Sequence, residues 1–521
     1  MYKNKHGKNN MPIPGDATGL VHAASRAALS KNPGEVMRDT SGSSGLKIIP
    51  VTRKMALPSA DAYSIFRALG KGRGCILESM EGIPRRAVRS ILCLDPPVCL
   101  NLDGEITCDG NKDLRDIINI PGKGHPVDQI RKLLGQFMWM GPSGTTFLGG
   151  LVGYCAYDMV GDISNGMVSA GKDGPLARFM FCTKGVVFDH VKSTCVLFET
   201  LLVQEGVDCN EDFARAEASL EQLEEKIRTI PAAGTGDSGE RLPKPQPPVA
   251  TAHREAYMRA VRRALGYIHA GDIFQVVLSR KIRCRYEGDP LDIYGAIRII
   301  NPSPYLYYLQ FGDEAIIGSS PEMLVKVEGK SVQTVPIAGT RPRGRSPAED
   351  ARFAAELLAD PKERAEHLML VDLARNDIGR VSDFGSVQVP EYMEVEQFSH
   401  VQHIVSRVCG RLRDGQDRFD AFASCFPAGT VSGAPKIRAM QIIAELEEQP
   451  RGLYAGAVGY AGFNDLLEFA IAIRTLKARQ GLVEFSTGAG IVADSIPERE
   501  FEETEHKAGA MMKAVGFSEG V

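Results

Sequence analysis

The stretch GAVGYAGFNDLLEFAIAIRTL, residues 456–476, decides how the chain is folded. Gly456–Tyr460 reads as a strand, Gly462–Asp465 carries the glycine, asparagine and aspartate of a reversing turn, and Leu467–Thr475 returns as a second strand. In the return, Leu467, Phe469, Ile471 and Ile473 form one apolar face, and Glu468, Ala470, Ala472 and Arg474 form the other. The pattern is that of a β-hairpin. Its two alanines leave a hollow in front of Arg474, whose rigid donor fork suits a carboxylate, and Tyr460 is placed to add a hydroxyl. An arginine reaching solvent from a sheet edge fits the same alternation.

Upstream, Tyr257, Val261, Ala264, Leu265 and Ile268 fall at helical spacing, Gly271 and Asp272 stop that helix, and Phe274, Val276 and Leu278 alternate as a strand. Elements of both kinds occur without a regular βαβ repeat, which implies an α+β fold. VPIAGTRPRG, residues 335–344, reads as a loop entered from a strand and suited to an anion, although Ala338 at its centre is apolar. A helix starting at Pro361 places Glu363, Glu366 and Leu370 on one face, and a second one starting near Pro497 places Glu503 and Lys507 at i, i+4. Each acidic set is by itself compatible with a solvated helix face. If the two helices converge, Glu366 and Glu503 offer hard oxygen ligands to a Mg²⁺ ion. FSTGAGIVADS, residues 485–495, reads as a strand followed by a glycine-rich turn, its amides at Gly488 and Gly490 open to an anion.

Composition limits the function. The 521 residues carry a net charge of -4 with no long basic or acidic run, which argues against a nucleic-acid groove or a membrane-binding face, and the apolar runs are too short to span a bilayer. Eleven cysteines, dilute and without a CxxC pair, argue against a zinc site or a disulfide framework and fit a reducing cytoplasm. Residues 1–46 read as a disordered polar extension lacking a secretory apolar segment, 47–228 as a first region, 229–253 as a Pro- and Gly-rich linker or surface excursion, and 254–521 as a second region that could share one core with the first. No GxxxxGK[ST] is present.

Taken together, PIAGTRPRG, HLMLVDLARND, FPAGTVSGAPKIRAM, GAVGY, IAIRT and GAGIVADSIPEREFEETEHKA resemble the chorismate-utilising enzymes, most closely the large subunits of anthranilate synthases. The likeness is dense over residues 250–517 and thinner before them. It implies a sandwich-like core of antiparallel sheets with outer helices. It also implies Mg²⁺ on Glu366 and Glu503, protonation of the departing 4-hydroxyl by Glu363, and His403 near C2 of the ring. Thr430 joins that catalytic group, and Thr430, Tyr460, Arg474, Gly488, Gly490 and Lys507 hold carboxylates, with Gly339 and Thr340 close to the ring.

Two residues divide the family by nucleophile. Aminodeoxychorismate synthases usually carry a lysine where this chain has Ala338, and isochorismate and salicylate synthases a lysine where it has Gln275. A methyl group cannot attack and an amide cannot serve as a base, so the resemblance implies attack by ammonia at C2 and release of anthranilate and pyruvate, the first committed step of tryptophan synthesis. An aminodeoxychorismate synthase is the alternative, with the water-using relatives behind it. CILESMEG resembles a tryptophan-binding motif, with Glu78 and Ser79 as contacts and Asn301, Pro302, Ser303, Pro304, Tyr305 and Leu306 as the second wall of an inhibitory site. No glutaminase motif is seen and Cys425 reads as structural, so glutamine nitrogen implies a separate amidotransferase small subunit in a heterotetramer of two large and two small chains.

Overall fold

The computed structural model describes residues 45–516 except 82–85, 119, 170, 233–247, 252–253 and 399–400. The extension expected over 1–46 therefore lies outside the described residues up to position 44, and a strand already starts at Leu46 and runs to Ala56. Most of the expected linker is likewise outside. Its end, Pro248–Thr251, is a strand paired with Gln275–Arg285.

Among the described residues the strands form two sheets, one of 13 strands and one of 11. Their neighbours pair antiparallel, apart from the parallel contact between Leu46–Ala56 and Phe137–Trp139. Each sheet joins strands from the front of the chain to strands from the back. In the larger sheet the halves join where Arg73–Glu81 pairs with Tyr305–Phe311, and in the smaller where Gly150–Cys155 pairs with Ala457–Gly462. Val152, Met180, Val458 and Tyr460 from the smaller sheet pack against Ile91, Phe198, Tyr307 and Leu309 from the larger. This dry interior is the middle of the sandwich. The outer face of the larger sheet is covered by helices, among them Ala62–Leu69, Asn210–Thr229, Pro290–Ile300 and Pro497–Ala514, through Ile65, Leu220, Tyr294 and Met511. No helix among the described residues is long and apolar enough to cross a membrane.

The hairpin read from residues 456–476 forms, with Tyr460 opposite Glu468 and the turn at Asp465 taking φ +60°. Its second strand is shorter than expected. It ends at Ile471, the backbone turns through Arg474 at φ +50°, and Thr475–Arg479 continues in the other sheet. A second crossing runs beside it, from Glu314–Ser320 in the larger sheet to Met323–Glu328 in the smaller. Backbone bonds tie the two crossings together: Ile471 N–H donates to the Glu322 carbonyl at 3.1 Å, and Ser319 N–H to the Arg474 carbonyl at 3.1 Å. Alternation alone cannot reveal such a crossing, because the side-chain pattern continues unbroken through it.

Two other readings are corrected. The segment 335–344 is not a loop: Ile337–Pro342 is a strand on Val401–Arg411, with a bulge between Ala338 and Arg341 that takes up the left-handed Gly339, φ +66°. Nor do Gly488 and Gly490 lie in a turn. Both belong to the strand Leu482–Ile491, opposite Ser279 and Val277, because the neighbouring strand Gln275–Arg285 satisfies that backbone.

Candidate active site

The paired crossings bring Glu322 and Arg474 side by side. Glu322 is buried at 6% exposure, and burial pushes its carboxyl up to about 8, against the weaker opposing pull of Thr430, the Ile337 amide and the Arg474 charge. Thr430 sits beside that carboxyl too loosely for a formed bond, and its hydroxyl is otherwise unpartnered. A buried polar atom without a partner needs a reason, and a ligand hydroxyl or carboxylate would supply one. Glu322 was not singled out from the sequence, where it is one acid in SSPEMLV.

Helix Pro361–Gly379 is capped by Asp360, which accepts from the Lys362 and Glu363 amides, and it presents Glu363 and Glu366 as the i, i+3 spacing implies. Glu363 receives Arg341 Nη1 at 3.2 Å, while the same guanidinium bonds Asp360 at 2.8 Å. Glu363 is thus ion-paired to Arg341. Burial pushes Glu366 up first, and the Glu363 and Glu503 charges push the same way. Across from it, helix Pro497–Ala514 carries Glu503, paired to Lys507 at 2.7 Å, and Glu500, raised by burial and by Glu503. Lys507 also donates to the Gly488 carbonyl at 3.2 Å. Glu366 and Glu500 both feel the charge of Glu503, although the three carboxylates do not draw together within 4.8 Å of one another. Glu500, one helical turn before Glu503, was missed because a single exposed-looking glutamate in PEREFEETEHKA carries no distinguishing signal.

Gln275 leads in from a third side. Its Nε2 donates to Glu366 at 3.5 Å, and its Oε1 is buried without a partner. Any side chain at position 490 would meet Gln275 Nε2 at 2.6 Å, and one at 488 would meet the Tyr454 hydroxyl at 2.6 Å. The two glycines are there to let a strand pass close to these polar ends. His403 accepts or donates at Nδ1 to Thr340 Oγ1 at 3.3 Å and lies 2.7 Å from the Gly339 carbonyl. A carbonyl can only accept, so Nδ1 carries the proton and Nε2 is the basic nitrogen. Gly339 has Glu363 Oε2 at 3.1 Å from where a Cβ would stand. Glycine is required there by both conformation and space.

Tyr460 does not belong to this group. Its hydroxyl donates to Glu468 at 2.9 Å, its ring packs edge-on against Phe147, and Tyr305 donates to the same Glu468 at 3.2 Å. It therefore faces the interior of the sandwich. The hydroxyl at the site is that of Tyr454, six residues earlier in GLYAGAVGY, which burial pushes up to about 12. Arg451 holds Tyr454 in place: its guanidinium lies over that ring and over Tyr157, and donates to the carbonyls of Val431 at 2.8 Å and Val277 at 2.6 Å while pairing with Glu447 at 2.7 Å.

The segments read as regulatory also meet, since Leu306 pairs with Glu78. Glu78 itself is occupied. It accepts the Tyr294 hydroxyl at 2.6 Å and, at 3.4 Å each, Arg298 Nη2 and the Ser90 hydroxyl, and it is ion-paired to the same guanidinium, whose Nε stands 2.9 Å away. Glu78 thus braces Tyr294 and Arg298 where the two segments meet. Asn301 and Ser303 are buried there, and the Asn301 carbonyl takes the Ser319 hydroxyl.

The family described as chorismate binding enzyme matches residues 80–513. Anthranilate synthase component 1 of Acetivibrio thermocellus is 42% identical over 90% of this chain and 95% of its own. This chain belongs to the chorismate-binding, anthranilate synthase component I family. The same component from Methanothermobacter thermautotrophicus is 44% identical, covering 84% of this chain and 88% of that one. Among solved structures, anthranilate synthase component I of Streptococcus pneumoniae superposes with a TM-score of 0.69 at 38% identity, over 83% of this chain and 93% of that one. The menaquinone-specific isochorismate synthase of Escherichia coli reaches 0.67 at 20% identity, over 96% and 100% of the two chains, and shares the fold. The chain is thus a chorismate-utilising enzyme.

Proposed function

We propose that this chain is the synthase subunit of an anthranilate synthase, converting chorismate and ammonia to anthranilate, pyruvate and water with Mg²⁺ bound. The observation that carries the reading is the buried Glu322 carboxyl, raised to about 8 beside Arg474, at a site without a lysine nucleophile or lysine base at Ala338 or Gln275. Glu366, Glu500 and Glu503 would hold the ion, whose charge would offset the burial and neighbouring charges that raise Glu366 and Glu500 and would neutralise a substrate carboxylate. Arg474, Tyr454 and Lys507 orient the carboxylates of chorismate. Glu322, still protonated at neutral pH, delivers its proton to the departing 4-hydroxyl, which leaves as water. The unpartnered Gln275 Oε1 accepts an N–H of ammonia and aims its lone pair at C2. His403 Nε2 then takes the C2 proton, the C3–O bond breaks with its electron pair leaving on the enolpyruvyl oxygen, the enolate takes up a proton to become pyruvate, and the ring becomes aromatic.

Free ammonia serves this chain alone, and glutamine serves it through a separate amidotransferase. Burial raises the Cys425 thiol, so it is not an activated nucleophile. Tryptophan inhibits at the junction of Ser79 with residues 301–306, and the enzyme acts in the cytoplasm. Incubation with chorismate, Mg²⁺ and ammonium should yield 2-aminobenzoate and pyruvate in equal amounts. Isochorismate or 4-amino-4-deoxychorismate as the main product would overturn the assignment.

A further inference from the structure

Away from the active site, Cys75, Cys93 and Cys182 come together in the middle of the sandwich. Cys75 and Cys93 are directly opposite on the paired strands Arg73–Glu81 and Arg86–Leu94 of the larger sheet. Cys182 ends the strand Ala177–Cys182 of the smaller sheet. Their sulfurs all lie within 4.8 Å of one another, and each residue is 0% exposed. Among the described residues no other three His, Cys, Asp or Glu ligand atoms are so close. The three belong to the same apolar core as Val152, Ile91, Phe198 and Leu309.

From this we infer that the three cysteines form a binding site for a thiophilic trivalent ion, of the kind presented by arsenite. A triangle with no edge above 4.8 Å has a point within about 2.8 Å of every corner, and a small contraction brings the sulfurs to the ~2.3 Å of a metal–thiolate bond. Thiol-only ligands select soft ions, and the set of three leaves zinc without its fourth ligand. Charge then decides among ions satisfied by three sulfurs. Three thiolates around a monovalent ion would bury two negative charges in an apolar layer, and around a divalent ion one, each costing several kcal/mol. A trivalent ion leaves none. The reaction is a balanced exchange without oxidation: As(OH)₃ and three thiols give As(SR)₃ and three waters, each S–H proton leaving with one hydroxide. The product would staple the two sheets together. Because the thiols are sealed, uptake follows the slow parting of strands.

The test uses the full-length reduced protein after prolonged incubation with arsenite and gel filtration. It should retain one arsenic per chain, gain the mass of one arsenic less three hydrogens, lose three titratable thiols, and melt at higher temperature. Cys182→Ala and Cys75→Ser should abolish retention, whereas Cys108→Ser and Cys409→Ser, at half-buried positions elsewhere, should not. If Cys75→Ser does not fold, Cys182→Val, which buries no hydroxyl, stands in for it. Arsenic retained equally by Cys182→Ala and the parent, or no arsenic retained at all, would overturn the site. Stoichiometric zinc in its place would overturn the coordination and charge argument.

Discussion

Glu78 and Glu322 are both buried glutamates in strand-rich parts of the same sandwich, yet they are supplied with donors very differently. Glu78 has a guanidinium, a phenol and a serine hydroxyl on its two oxygens. Glu322 has one backbone amide, a loosely placed threonine, and an arginine that acts on it by charge. Where donors saturate a carboxylate it becomes structure, and where they are withheld it stays a carboxylic acid and becomes chemistry.

The sharpest way to break this contrast is to make the same change at both positions. Glu322→Gln should lower kcat with ammonia by roughly 10²–10⁴-fold, the range for loss of a general acid, while leaving the protein folded. Because the folded pKa of Glu322 lies above its ordinary 4.5, its contribution to stability is full below about 4.5 and is lost as pH rises towards 8. Melting curves across pH should accordingly show Glu322→Gln gaining on the parent over that window. Glu78→Ala should do the opposite. It leaves Arg298 to its second partner, Asp61, and Tyr294 without its acceptor, and should destabilise by about 1–3 kcal/mol in denaturant titration. Its effect on uninhibited turnover should be smaller than that of Glu322→Gln.

A finer comparison separates the two tyrosines of GLYAGAVGY. Tyr454→Phe should raise KM for chorismate about tenfold, as expected for one hydrogen bond to a charged group. Tyr460→Phe should leave KM within a factor of about two and cost only about 1 kcal/mol of stability through Glu468. Equal effects on KM would return Tyr460 to the site.

The same pair shows what could be read without coordinates. Helix faces were legible, because i, i+3 and i, i+4 spacing survives whatever the helix packs against, and Glu363, Glu366, Glu503 and Lys507 are where the spacing puts them. The hairpin at 456–476 was legible for the same reason of period. Tyr460 was misplaced because its alternation assigns a face of the strand, and the face turned out to be the sandwich interior rather than the substrate side. Glu322 was hidden because its burial is created by a neighbouring crossing about 150 residues later in the chain, at Ala472–Arg474. The three cysteines were hidden likewise, 18 and 89 positions apart in sequence (93 − 75 and 182 − 93) and adjacent only once two sheets have formed.

The central claim is that Glu322 is a neutral acid in the resting enzyme. Infrared difference spectroscopy on the full chain, subtracting Glu322→Gln from the parent as pH is raised, measures it directly. The account predicts a protonated-carboxyl C=O band assigned to Glu322 that persists at pH 7 and fades through about 8, in step with a fall in kcat/KM. A band already gone by pH 5–6, in the ordinary carboxylate range, would contradict it.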